Sequence, residues 1–306
     1  MGLCDLNVLN AYVSMRKTTG FIADIVMPKV STAKDFGSMV YNEGDIIPDD
    51  RIRATDRHDP YYIRTYGEKS LHQTELRTMY TDVTKEEIEK YESAARMGNK
   101  LINPYIVQVG NLMHQMELQR ESRVAAFVGD KKSYLPENVK VLTGTSKWSE
   151  YPDAWIKDVH MAQTKLTSSD LVLVVSKEVW TVISGLTIST SAVMGTEAAV
   201  VMSSTKKDLL DRLGIKDIVI GKNKTEKGGK LWGNNAALLS MASIESMESA
   251  DATGWGYTAI YYENALDKWD DPMRGGRGGV ENVKISTDSL EFVNNIAGGF
   301  LFKDVI

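Results

Sequence analysis

The stretch NPYIVQVGNLMHQMELQRESRVAAFV, at positions 103–128, limits the possible folds more than any other part of the chain. Asn103 is a good N-cap, and Pro104 falls at the first helical position, where its missing N–H costs nothing. Ile106, Val109, Met113, Met116, Val124 and Phe127 recur at steps of three and four, with one gap of eight across Arg120. That is the stripe of an amphipathic helix. At ~1.5 Å per residue it predicts a rod about 36 Å long, which Gly129 can end. Gly110 is unfavourable in mid-helix and predicts a close backbone contact there. Met113 and Met116 read as gap-filling core residues, not as a cofactor box. A rod of this length needs apolar surface to lie on, and its flanking segments look short and extended.

The chain has the material for such a surface. Its 306 residues suit two domains or one elaborate domain, and 42% apolar with 25% charged residues suits a packed core. The formal charge of −5 argues against a dedicated nucleic-acid-binding protein. Cys4 is the only cysteine, so no intrachain disulfide framework is possible. The opening MGLCDLNVLNAYVSMRK has no apolar core behind a basic start, and no run of 18 apolar residues occurs. The expectation is a chain made in a reducing cytoplasm, with no membrane partner.

Along the chain, residues 1–34 read as an arm with little core of its own. A strand is predicted at 36–41, followed by a polar stretch at 42–70 and a partly extended 71–83. A structureless excursion of that length is uncommon inside a compact domain. Thr84 to Glu87 is a capping box that opens a helix with Ile88, Tyr91 and Ala95 inward and Gly98-Asn99 at its exit. After position 142 the pattern becomes α/β. Trp155, Val159, Ala162 and Leu166 mark one helix face, and LVLVV at 171–175 is a strand apolar on both faces. Ser176 can cap a helix, residues 184–204 carry no readable pattern, and a further helix runs from Thr205 to Gly214. Strands are predicted at 215–220, 231–242 and 254–262, the last with Trp255, Tyr257, Ala259 and Tyr261 on one face. More strands follow at 280–285, 289–293 and 299–302.

The usual catalytic signatures are missing. Strand 171–175 leads into Ser176-Lys177-Glu178-Val179, not into a glycine-rich phosphate cradle. The histidines at 58, 72, 114 and 160 do not pair at the spacing of a zinc site, and G-x-S-x-G is absent. Asp49-Asp50 and Asp270-Asp271 read as solvated loop charge. No catalytic, cofactor-binding or metal residue is therefore assigned. By elimination the chain reads as architectural.

A family resemblance rests on six segments in order. LQRESRVAAFV at 118–128 resembles the end of the spine helix of the HK97-like major capsid proteins of tailed bacteriophages, with its Arg-Glu-x-x-x-Ala-Ala run. LTGTSKWSEYPDAWIKDVHMA at 142–162 is similar to that family's Leu-x-Gly-x-x-x-Trp-Ser turn and following helix. DLVLVVSKEVWTVI at 170–183 resembles its strand-to-helix passage, and DLLDRLGIKDIVIG at 208–221 and LWGNNAALL at 231–239 resemble two of its strands. AGGFLFKDVI is similar to its usual ending.

The resemblance implies an α+β, HK97-like fold with an N-terminal arm at 1–35 and an E-loop with flanking strands at 36–80. It implies a P domain at 81–149 with spine helix 103–128, an A domain at 150–250, and a return to the P domain at 251–306. It also implies a structural shell protein, not an enzyme, without cofactor, forming hexamers and pentamers of an icosahedral or prolate shell around double-stranded DNA held weakly and non-specifically. Its partners would be itself, a portal, a separate scaffold protein and a decoration protein, and its location the virion, after assembly in the host bacterial cytoplasm. Arg51, Arg53, Arg57, Tyr61, Tyr62 and Arg64 of the E-loop would lie on the neighbouring subunit, while the apolar stripe of the spine helix would pack inward. Two other readings share the sequence features: an encapsulin-like nanocompartment shell, and an α/β enzyme with a flexible lid.

Overall fold

The computed structural model describes residues 6–16, 20–40, 68–99, 102–150, 154–166, 168, 170–185, 206–222, 224, 228–241, 254–275 and 278–306. Its longest helix, α4, spans Pro104–Gly129 and has 26 residues, about 39 Å at ~1.5 Å per residue. Before it come α1 (Leu6–Met15), α2 (Ala23–Val26) and α3 (Lys85–Arg96), and after it α5 (Ala154–Lys165), α6 (Lys177–Gly185) and α7 (Lys206–Leu213). The strands are β1 (Lys29–Ser31), β2 (Asp35–Val40), β3 (Glu68–Gln73), β4 (Glu75–Thr84), β5 (Val139–Val141) and β6 (Leu171–Ser176). They continue as β7 (Asp217–Gly221), β8 (Ala236–Ser240), β9 (Gly256–Asp271), β10 (Val280–Val293) and β11 (Gly299–Lys303).

The strands form a four-stranded sheet in the order β1-β9-β10-β4, a five-stranded sheet in the order β5-β11-β8-β6-β7, and a two-stranded ribbon of β2 and β3. α4 lies across both sheets. Tyr105, Val109, Leu112 and Met113, in its first half, pack with Val283, Ile285 and Leu266 of the four-stranded sheet. Val124, Ala125 and Val128, in its second half, pack with Val172, Val174, Ala237 and Leu301 of the five-stranded sheet. The other face of that sheet is covered by α5, α6 and α7, through Trp155, Val179 and Leu209. This sandwich explains the uninterrupted apolar run of β6: Leu171, Leu173 and Val175 face one layer and Val172 and Val174 the other.

Local signals and local structure agree at the element ends. The Thr84 hydroxyl accepts from the Glu87 N–H at 3.3 Å, and the Glu87 carboxylate accepts from the Thr84 N–H at 3.2 Å. Asn103 Oδ1 accepts from the Tyr105 N–H at 3.0 Å, capping α4. At Gly110 a β-carbon would run into the Arg16 guanidinium, so the glycine lets α1 lie close against α4.

Four expectations need correction. Residues 6–31 do contribute core: Leu9 and Val13 of α1, and Ile22, Ala23, Val26 and Met27, are buried. Their apolar side chains are few and closely spaced, so no long period betrays them. β9 runs on to Asp271, so Asp270 and Asp271 belong to a strand, paired with Glu281 and Val280, and not to a loop. β10 is one strand through 286–289, with register shifts against β9 between Ser286 and Ser289. Near those shifts Tyr261 turns out to solvent at 50% exposure, although Trp255, Tyr257 and Ala259 are buried. The closing strand β11 lies in the five-stranded sheet, paired with β5 and β8.

Met113 is 4% exposed on the four-stranded sheet. Met113→Asp would bury an unpaired carboxylate at a cost on the order of 3–5 kcal/mol. The expected outcome is loss of soluble protein or a large drop in the urea midpoint. A soluble variant with an unchanged midpoint would mean that this helix face is not packed.

Candidate functional site

The apolar stripe of α4 is interrupted by charge on its buried side. Glu117, Arg120 and Glu121 fall between Met113 and Val124 at steps of four, three and one, so they share the inward face. Arg120 is 5% exposed and Glu121 is fully buried. A charge there must find partners, and here they come from distant parts of the chain.

Glu121 accepts from the Ile22 N–H at 3.0 Å, the Ala23 N–H at 2.8 Å and the Trp232 indole N–H at 2.9 Å. It therefore ties α4 to the start of α2 and to the loop that leads into β8. Burial pushes its carboxyl above the ordinary glutamate range, against the pull of those donors and of Arg120. Trp232 fits because Gly221, at the end of β7, has no side chain; a β-carbon there would strike the indole ring.

Arg120 works beside it. Its guanidinium donates to Asp24 at 2.5 Å, to the Met27 carbonyl at 3.0 Å and to the Thr258 hydroxyl at 3.1 Å. Lys29 pairs with Glu117 at 3.2 Å and with Glu263 at 2.6 Å. Arg123 makes a two-pronged contact with Glu291 of β10, 2.8 Å on each prong. Burial raises the Glu291 carboxyl, but Arg123 outweighs burial and holds it below the ordinary value. The adjoining cleft of about 590 Å³ is lined by Arg16 and Lys29 and by Asp24, Glu117 and Glu263. Both signs face it, so it does not focus a field for one kind of ion.

At the far side of the four-stranded sheet, the β2–β3 ribbon is rooted by Phe36 and His72 against Phe292 of β10. Among the described residues neither of its strands pairs with any other strand. Arg51, Arg53, Arg57, Tyr61, Tyr62 and Arg64 lie beyond this ribbon, outside the described residues. On α4, Val109, Met113 and Val124 are buried, and Ile106, Met116 and Phe127 are partly buried against the same clusters.

Tyr105, Leu112, Arg120, Glu121 and Trp232 carry roles that sequence reading misses. The eight-residue gap at Arg120 was a signal for two of them: charged residues on an apolar face must be paired in the folded chain. Among the described residues no group of three or more His, Cys, Asp and Glu side chains could hold a metal ion, and no helix is long and apolar enough to cross a membrane.

No family model matches the sequence, and no curated protein matches it. Solved structures do. The crystal structure of a phage-related protein from Bordetella bronchiseptica RB50 is 15% identical and covers 98% of this chain and 96% of that one, with a TM-score of 0.71. The chain has the HK97-like fold. The capsid of an empty GTA particle is 10% identical over 95% of this chain and 98% of that one, at a TM-score of 0.51. The holo-SrpI encapsulin complex from Synechococcus elongatus PCC 7942 is 8% identical over 100% and 96%, at 0.53. At these identities the shared property is the fold. Within this HK97-like fold, the Trp of the LTGTSKW turn is a core residue: Trp148 is fully buried against Phe302, and its N–H donates to Asp158 of α5 at 3.0 Å.

If Glu121 is the joint described, its loss orphans three buried N–H groups. Glu121→Ala should cost at least about 3 kcal/mol, and Trp232→Phe, which removes one donor and keeps a ring, about 1 kcal/mol. Urea unfolding of both variants checks this. A Glu121→Ala midpoint no lower than that of Trp232→Phe would contradict the joint.

Proposed function

We propose that the chain is a major capsid protein: a structural subunit that assembles with copies of itself into hexamers and pentamers of a closed shell. The observation that carries the reading is the extent of the correspondence with a GTA capsid chain, 95% of this chain against 98% of that one. The geometry is consistent with a tile. One helix braces two sheets, and among the described residues the two strands of a narrow ribbon pair only with each other. A lone two-stranded ribbon is marginal in water, so it needs a surface to lie on. A neighbouring subunit would supply one.

In this reading residues 1–35 are the N-terminal arm, 36–80 the E-loop with its strands, 81–149 the P domain with spine helix 103–128, 150–250 the A domain and 251–306 the return. Arg51, Arg53, Arg57, Tyr61, Tyr62 and Arg64 lie on the next subunit, giving polar contacts and aromatic area. The net charge of −5 suits an inner wall that holds packaged double-stranded DNA weakly, without sequence preference. The shell would be part of a virion built in the host bacterial cytoplasm, with a portal, a separate scaffold and a decoration protein as partners. The chain would have no enzymatic role.

The similarity to an encapsulin complex supports a second reading, a nanocompartment shell on the same tile. The nucleic-acid content of particles from the native source separates the two.

Replacing residues 45–62 with a short Gly-Ser turn tests the proposal that the E-loop is a strap laid across the next subunit. Shortening a loop reduces closure entropy and removes little core, so the subunit should stay folded. Assembly should fail, because even ~1 kcal/mol lost per contact repeats at every interface. Sedimentation of both proteins gives the answer. Closed particles of normal size from the shortened chain would refute the strap and revive the flexible-lid reading.

A further inference from the structure

The root of the β2–β3 ribbon is built around one imidazole. His72 on β3 sits opposite Phe36 on β2, and its ring packs against Phe36, at 5.3 Å, and Phe292 of β10, at 4.9 Å, tilted by 30° and 31°; the two phenyl rings are themselves 5.6 Å apart, so the three close a triangle. The His72 Nε2 is 2.9 Å from the Ser38 hydroxyl, which is buried. At this end the two arms of the ribbon are also joined by the Thr74 N–H, which donates to the Lys34 carbonyl at 2.9 Å. The contact of Phe36 and His72 with Phe292 seats the ribbon on the sheet.

We propose that His72 is a proton-sensitive hinge pin: protonation of its imidazole loosens the seat of the ribbon on the four-stranded sheet, so acidification frees the ribbon to change its angle. An imidazolium packed against two phenyl rings loses part of its water without gaining a counter-charge. Of the ionisable groups on the elements packed around it, Asp35 of β2 is bonded by the Gln73 amide, Glu291 of β10 by Arg123, and the Tyr257 phenol of β9 is neutral. The Ser38 hydroxyl can donate to the neutral ring or accept from the charged one, so it does not offset the loss. Attraction of a cation to the ring faces acts in the opposite direction but is modest.

The sign follows. Burial holds the His72 pKa below that of a free imidazole, around 6.5. A group that is harder to protonate in the seated state favours seating above that value, and the contribution is lost as pH falls through the seated pKa. The hinge rests on reading the ribbon as the subunit's strap only for its use, not for its chemistry.

The test is hydrogen exchange of the full chain between pH ~8 and ~5, corrected for intrinsic rates and followed at residues 35–40 and 68–74. In the wild type, ribbon protection should fall about three- to tenfold towards acid relative to β8. His72→Phe, which keeps the aromatic stack, should hold its protection at every pH, and His72→Gln serves if the Phe variant does not fold. Equal pH profiles for wild type and variant, or an imidazole that titrates at or above the free value, would overturn the hinge. Because the readout needs no particle, a chain that never assembles yet shows this profile would refute the shell and leave the hinge standing. A shell-former with a flat profile would do the reverse.

Discussion

The Glu121 carboxylate lies on the buried face of α4 and accepts from three N–H groups, two on the backbone at the start of α2 and one on Trp232. Arg120, its neighbour, reaches back to Asp24, Met27 and Thr258. These two residues join the N-terminal segment, the long helix and both sheets at one point. Hydrophobic packing alone would let the segment at 20–27 slide along α4, since apolar contact has little direction. The charged pair fixes where it docks. Burial of so much charge gains little stability in itself and is costly if half-broken. Its contribution here is position.

That position gives α4 its use. With one half on the four-stranded sheet and the other on the five-stranded sheet, the helix works as a beam between two layers. The expectation from the length of the rod was that it needs apolar surface along all of it, and two sheets supply that surface in succession. The closing strands reinforce the link, because β10 runs under the first half of the beam and β11 enters the sheet under the second.

Much of the fold is legible in the sequence because its signals are local. Asn103-Pro104 opens α4, Thr84 and Glu87 open α3, and LVLVV marks a strand covered on both sides. What escapes is long-range. The partners of Glu121 are 98 to 111 positions away, and a glutamate on a helix face looks solvated until those partners arrive. The far half of β9 alternates Glu263, Asp267 and Asp270 with less polar residues and reads as loop, yet pairing with β10 makes it strand. α1 is short, and its buried residues Leu9 and Val13 find their partners on α4 and the four-stranded sheet, far away in the chain. Of the candidate site, the helix stripe could be read directly. The charged joint announced itself only as a gap in that stripe, and the ribbon residues from Arg51 to Arg64 were assigned through family resemblance.

In the proposed reading, a tile for a closed shell must be stiff across its width and adaptable at its margins. The beam and its joint would supply the first property, and the ribbon, seated among the described residues by Phe36 and His72, would supply the second. Electron microscopy of the purified chain over a range of protein concentration tests this directly. The reading predicts closed hollow particles, or the hexameric and pentameric rings from which they are built. A monomer or a two-fold dimer at every concentration would contradict it.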